Sequence, residues 1–60
     1  MKIKMLSDFS ERSDHPKKND VIEVYDTIRD DNGEVELYEV IWRGVRLEIY
    51  PYECECVSDH

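Results

Sequence analysis

Residues 34–57, EVELYEVIWRGVRLEIYPYECECV, hold most of the apolar and aromatic side chains of a 60-residue chain. β-Branched and aromatic residues alternate there with Glu and Arg, and the alternation is interrupted at Arg43-Gly44 and again at Pro51. A period of two is the pattern of a half-buried strand, and Gly or Pro at its breaks marks turns. The stretch therefore predicts strand, turn, strand, corner, strand. Val35 and Leu37 have one parity and Val40 and Trp42 the other, so a straight strand over 34–42 cannot bury all four. A bulge near Tyr38 and Glu39, or a bent strand serving two sheets in turn, resolves the conflict. In the next strand Val45, Leu47 and Ile49 alternate cleanly with Arg46, Glu48 and Tyr50. Pro51-Tyr52-Glu53 then turns the chain into a short last strand that closes with Cys54, Cys56 or Val57.

Upstream, residues 20–28 (DVIEVYDTI) predict a strand that buries Ile22 and Val24 and leaves Tyr25 partly exposed. In that straight reading Asp26 shares the face of Ile22 and Val24. Asp30-Asp31-Asn32-Gly33 follows, and Asn-Gly between two β-type runs is a strong hairpin signal, because both residues tolerate the positive φ of a tight turn. Residues 7–19 (SDFSERSDHPKKN) predict an irregular polar loop anchored by Phe9. Ser7 or Asp8 could open a helical turn that Pro16 would not allow to continue. Residues 1–6 predict a short strand with Ile3 and Met5 on one side and Lys2 and Lys4 on the other, and 58–60 a frayed tail. The whole is a single all-β domain over 1–60, a five-stranded antiparallel barrel with a long polar loop after its first strand.

A chain this short buries only about 60% of the surface that its unfolded form exposes, which leaves no room for a deep substrate cavity. Cys54 and Cys56 lie too close in sequence to bridge: strand neighbours i and i+2 are roughly 6.6–7 Å apart, beyond relaxed disulfide geometry. No run approaches the roughly 20 apolar residues of a membrane span, and MKIKML is too short for a signal peptide. These features predict a soluble, cytoplasmic protein. Fifteen Asp and Glu against eight Lys and Arg give a formal net charge of −7. Such a field repels phosphate backbones and anionic membranes and favours basic partners.

Two segments carry a resemblance. Lys17-Lys18-Asn19-Asp20-Val21-Ile22-Glu23-Val24 resembles the exit from the long first loop of SH3-like barrels, with Asn19 where glycine usually stands. Tyr50-Pro51-Tyr52-Glu53-Cys54-Glu55-Cys56-Val57 resembles the aromatic-proline turn and last strand of the same fold. The chain lacks the aromatic first-strand motif and the paired tryptophans of proline-peptide-binding SH3 domains; Trp42 is its one tryptophan. The resemblance, covering 17–57, is thus to the compact SH3-like barrels found among bacterial and bacteriophage proteins, some of which bind and inhibit. For a phage-encoded chain the compartment would be the host cytoplasm.

Catalysis needs a nucleophile with a base, an acid–base pair in a cleft, or a metal site. Cys54 or Cys56 with His15 or His60 is the only conceivable pair, and a cysteine facing a small core is more often a compact hydrophobe. Zinc would need both cysteines, His15 and a folded-back His60. With Gly33 and Gly44 alone there is no phosphate-binding loop. The expectation is no enzyme, no metal and no cofactor. Lys2, Lys4, Lys17, Lys18, Arg29, Arg43 and Arg46 are dispersed, which argues against direct DNA or RNA binding.

What remains is acidic and aromatic. Tyr25, Tyr38, Trp42, Tyr50 and Tyr52, flanked by Glu36, Glu39 and Glu53, form the candidate partner-binding set, since Tyr and Trp are the usual anchors of protein interfaces. The expected function is a non-catalytic interaction module or small inhibitor that binds a basic protein surface. The alternatives are a nucleic-acid-mimicking inhibitor of a host DNA- or RNA-binding protein, and a self-assembling structural protein, which leaves a homodimer open.

Overall fold

The computed structural model describes residues 1–57; the predicted tail 58–60, with His60, lies outside the described residues. Five strands form, β1 (Lys2–Met5), β2 (Val21–Arg29), β3 (Val35–Trp42), β4 (Val45–Ile49) and β5 (Cys54–Val57), with a single 3-10 turn at Pro51–Glu53. They make one antiparallel sheet in the order β4-β3-β2-β1-β5. No helix of the described residues is long and apolar enough to cross a membrane.

The bent element is β2. Its first part pairs with β1 (Ile3 opposite Ile22), and from Val24 onward it pairs with β3. The register passes from Val24/Val40 to Asp26/Glu39, so Tyr25 is an extra residue on β2. A bulge of this kind bends its strand and increases the local twist, which lets β2 serve both halves of the sheet. A second shift, between Ile28/Leu37 and Arg29/Val35, makes Glu36 extra on β3. The parity conflict is thereby resolved at Glu36 and not at Tyr38-Glu39. Val35 packs against the core together with Val24 and Trp42, and Leu37 is the side chain left half-buried outside it.

The core is Ile3 and Met5 from β1, Ile22 from β2, Tyr38 and Val40 from β3, Leu47 and Ile49 from β4, and Cys54 from β5. Ile3, Met5, Val40 and Ile49 are fully enclosed, and among the described residues no buried side-chain nitrogen or oxygen lacks a hydrogen-bond partner. Val45, assigned by alternation to the inner face of β4, is exposed because it ends the sheet.

The two hairpins differ. Arg43 (φ 49°) and Gly44 (φ 82°) form the two-residue turn with both φ positive that the right-handed twist of paired strands favours. Between β2 and β3 only Gly33 has positive φ (81°), so the Asn32-Gly33 expectation is right about the hairpin and wrong about Asn32. The reason is Asp30. Its carboxylate accepts the N–H groups of Asn32 (2.9 Å) and Glu34 (3.0 Å), and its carbonyl accepts that of Gly33 (3.0 Å). This Asx arrangement holds a longer turn.

The long loop is polar as predicted, but it is organised and contains no helical turn. Its base is closed by Met5 N–H to Asp20 O (2.9 Å) and Asn19 N–H to Met5 O (2.8 Å), with Asn19 at φ 77°. Phe9 N–H donates to Pro16 O (2.9 Å), Lys18 N–H to the Asp8 carboxylate (2.8 Å) and Lys17 Nζ to Ser10 O (2.8 Å). Phe9 packs against the core and Pro16 is fully buried.

The sheet is not closed. β5 pairs with β1 (Ile3 opposite Cys56, Met5 opposite Cys54), β4 pairs with β3, and no ladder joins β4 to β5. The 3-10 turn carries the chain from one edge to the other, held by Glu53 N–H to Tyr50 O (2.9 Å) and Cys54 N–H to Pro51 O. The expected five antiparallel strands are present, whereas the expected closure is replaced by two free edges.

Candidate functional site

Alternation on β4 and the register of its neighbours define an outer face. Val40 opposite Leu47 and Tyr38 opposite Ile49 point into the core, so Glu39, opposite Glu48, and Ile41, opposite Arg46, point out. Glu39 is also opposite Asp26 on β2. Asp26, Glu39 and Glu48 therefore stand in one line across three strands, with neighbouring strands roughly 4.8 Å apart. Like charges directly opposite one another destabilise a sheet.

One guanidinium serves this line. Arg46 Nε lies 3.7 Å from a Glu39 carboxylate oxygen, and Arg46 Cζ stands 5.7 Å from the centre of the Tyr25 ring. Asp26 accepts the N–H of Thr27 (2.8 Å), and neither Asp26 nor Glu48 has a salt bridge among the described residues. Tyr25, 64% exposed, borders the line at one end. At the other, Tyr50 continues the outward alternation of Arg46 and Glu48 on extended backbone, and its ring stacks on that of Tyr52 with centroids 5.4 Å apart and planes 14° from parallel. Tyr52 is 78% exposed, so this stack covers little of itself.

Of the candidate residues, Tyr25, Glu39, Tyr50 and Tyr52 are thus brought to one surface. Tyr38 is not: it is a core residue, 6% exposed, and its hydroxyl lies 3.4 Å from Cys56 Sγ in a hydrogen bond. Trp42 is half-buried, and its indole N–H donates to Asp14 O (2.9 Å) in the long loop. Glu36 is exposed at the far end of β3, and Glu53 turns back so that its carboxylate accepts Tyr50 N–H (3.4 Å). Asp26 and Arg46 were not among the candidates. Arg46 was legible from the alternation of β4, whereas Asp26 faces outward only because the bulge at Tyr25 reverses the parity of β2.

Compared with known proteins, the chain matches no family model, no curated protein and no solved structure. Its function is therefore argued from this surface and the groups around it.

The Cys54 thiol and the Tyr38 hydroxyl sit where their neutral forms are favoured. Burial pushes the Cys54 thiol up to about 11, with the nearby Cys56 and Glu53 adding to the effect. That thiol points at the carbonyls of Tyr50 (3.7 Å) and Pro51 (3.9 Å), where it helps to finish the 3-10 turn. The hydrogen bond to Cys56, with burial, raises the Tyr38 hydroxyl to about 12. A thiol raised this far holds little thiolate at neutral pH, and the thiolate is the nucleophile. His15 lies 2.6 Å from Ser10 Oγ in the long loop, remote in sequence from both cysteines, and no group of three or more His, Cys, Asp or Glu among the described residues is placed to hold a metal ion.

Proposed function

We propose that this chain is a non-catalytic interaction module, an open SH3-like fold of the compact bacterial and bacteriophage kind, that binds a basic protein surface through the outer face of β2, β3 and β4. The SH3-like reading is supported by the strand order β4-β3-β2-β1-β5, by the long loop between β1 and β2, and by the 3-10 turn that delivers β5 to β1. The binding reading rests on the line Asp26–Glu39–Glu48, served among the described residues by Arg46 alone. Three carboxylates in register lower stability, and a partner's Lys or Arg groups relieve the repulsion while Tyr25, Tyr50 and Tyr52 supply anchoring area.

Affinity capture from a host lysate at low and high salt tests this, with wild type compared to a Glu39→Gln/Glu48→Gln double variant and to Tyr52→Ala. The expected result is a basic partner whose capture weakens with salt and is lost or strongly reduced with both variants. A partner retained equally by both variants would remove the outer face from consideration.

The same line also favours a narrower reading, in which a regular row of charges occupies the nucleic-acid site of a host protein. Competition between this chain and DNA for one partner supports it, and a ternary complex excludes it. The unpaired edges of β4 and β5 favour a third reading, self-assembly by edge pairing. A monomer at all concentrations in sedimentation would end that reading.

A further inference from the structure

The organised long loop and the β3–β4 hairpin meet at a small pocket of about 130 Å³ lined by Arg12, Asp14, His15, Trp42, Arg43 and Val45. It is the reverse of the outer face in charge. Its single acidic side chain is already engaged: Arg12 Nε and a terminal nitrogen donate to the two Asp14 carboxylate oxygens at 3.0 and 2.8 Å. That fork holds Asp14 below the usual carboxylate range. Arg43 makes no salt bridge among the described residues, and its guanidinium stands 5.5 Å from the centre of the Trp42 ring. The positive φ of Arg43 in the tight turn sets this placement.

The remaining donors are held in place. Trp42 spends its N–H on Asp14 O, so what the indole offers the pocket is its ring. Ser10 Oγ accepts the N–H of Arg12 (3.1 Å) and lies 2.6 Å from His15 Nδ1. The His15 ring also lines the pocket. Phe9 packs edge-on against that ring at 5.2 Å and fixes its plane. The pocket therefore combines Arg43, His15 and the outer side of Arg12 with an apolar wall of Trp42 and Val45, the latter 54% exposed.

We infer that this pocket binds a carboxylate carried on a short apolar body. Three features select that chemistry. Guanidinium groups pair bidentately with carboxylates, and Arg12 already holds one in this way. The apolar wall of half-buried Trp42 and exposed Val45 matches an alkyl group next to the anion, which inorganic phosphate lacks. At about 130 Å³ the pocket is smaller than the roughly 300–1,000 Å³ sites that hold drug-sized ligands. A singly charged ligand also meets less repulsion from a chain of net charge −7 than a dianion does. The site is independent of the outer face and of the partner proposed for it.

The test is a ¹H–¹⁵N titration of the full chain at low salt with sodium propionate, propionamide and sodium phosphate. The single indole N–H of Trp42 is the reporter. Propionate should shift that resonance and the Arg43 and His15 amides saturably, with a dissociation constant on the order of millimolar, as suits a five-atom ligand in a half-open site. Propionamide, isosteric and uncharged, should bind at least five-fold more weakly. Arg43→Asn, which keeps a residue tolerant of positive φ in the turn, should weaken propionate by a similar factor while spectral dispersion stays that of a folded chain. An acetylated tripeptide ending in a free alanine carboxylate, compared with its amide, shows whether the carboxylate can be that of a polypeptide end; binding of propionate but not of the peptide assigns the pocket to free small acids. Equal binding of propionate and propionamide, tighter binding of phosphate than propionate, or an unchanged affinity in folded Arg43→Asn would each overturn the inference.

Discussion

Across β2, β3 and β4, Val24, Val40 and Leu47 lie opposite one another in one row, and Asp26, Glu39 and Glu48 lie opposite one another in the next. The first row closes against Ile3, Met5 and Ile49, with no unsatisfied polar side chain in the interior among the described residues. The second opposes like charges at neighbouring positions, with Arg46 as its one ion-pair partner among the described residues. The two rows share strands and turns, and the bulge at Tyr25 lies between them, turning Val24 inward and Asp26 outward. Folding accounts for the valines and the leucine, while the carboxylates are set opposite one another on the outward side.

The contrast is sharpest in adjacent residues of β4. Leu47→Ala should destabilise the chain by about 2–5 kcal/mol, which for a domain of this size is a large part of the total. Urea unfolding would measure it, and a loss under about 1 kcal/mol would mean that the inner row is not the core.

Raising the pH should act on two groups of the inner side. Cys54, lifted from 9.0 to about 11, and Tyr38, lifted from 10.0 to about 12, have folded-state values above their unfolded ones. The neutral forms are favoured by folding, so their contribution is intact at neutral pH and is lost between pH 9 and 11 for Cys54 and between 10 and 12 for Tyr38. In Tyr38→Phe the upper part of that decline should be absent from a denaturation series run against pH. An unchanged slope would detach Tyr38 from it.

Gly44→Ala should cost about 1–2 kcal/mol, from φ alone. An added Cβ meets nothing within 4 Å, so packing has no part in it. Trp42→Phe keeps most of the apolar contact but deletes the hydrogen bond to Asp14 O, for about 0.5–1.5 kcal/mol. Faster amide exchange confined to the long loop would confirm that this bond pins the loop to the hairpin.

The smallest effect has the opposite sign. Glu48→Gln shortens the line of carboxylates and should stabilise the chain by a few tenths of a kcal/mol, while weakening capture of a basic partner. A variant both less stable and unchanged in binding would mean that the outer row serves the fold after all.

Much of the fold was legible because strand patterning is local. Ile3, Met5, Ile22, Leu47 and Ile49 were placed inward by alternation and are core residues, and Arg43-Gly44 forms the tight turn read there. The tail 58–60, read as frayed, lies outside the described residues. The candidate surface was half legible: Tyr25, Glu39, Tyr50 and Tyr52 are on it, Tyr38 is in the core, and Trp42 is tied to the loop. Tyr38 was misplaced because an amphipathic ring suits either side of a thin sheet, and its polar end found Cys56 across the core from a strand 18 residues away.

The sequence by itself determined five antiparallel strands, their turns and an acidic exterior, since each follows from residue type and spacing within a few positions. Only the tertiary structure decided which acids meet. The extra residue at Tyr25 reverses the parity of β2 and swings Asp26 outward into line with Glu39 and Glu48. Its position is set by where β2 must leave β1 and join β3, and a single strand's alternation carries no trace of that constraint. The Trp42 pocket is likewise a product of assembly, for Arg12 and Arg43 stand 31 residues apart and meet only when the long loop folds onto the hairpin. Long-range pairing creates such sites, which is why composition made the chain an acid and the fold gave it a basic corner.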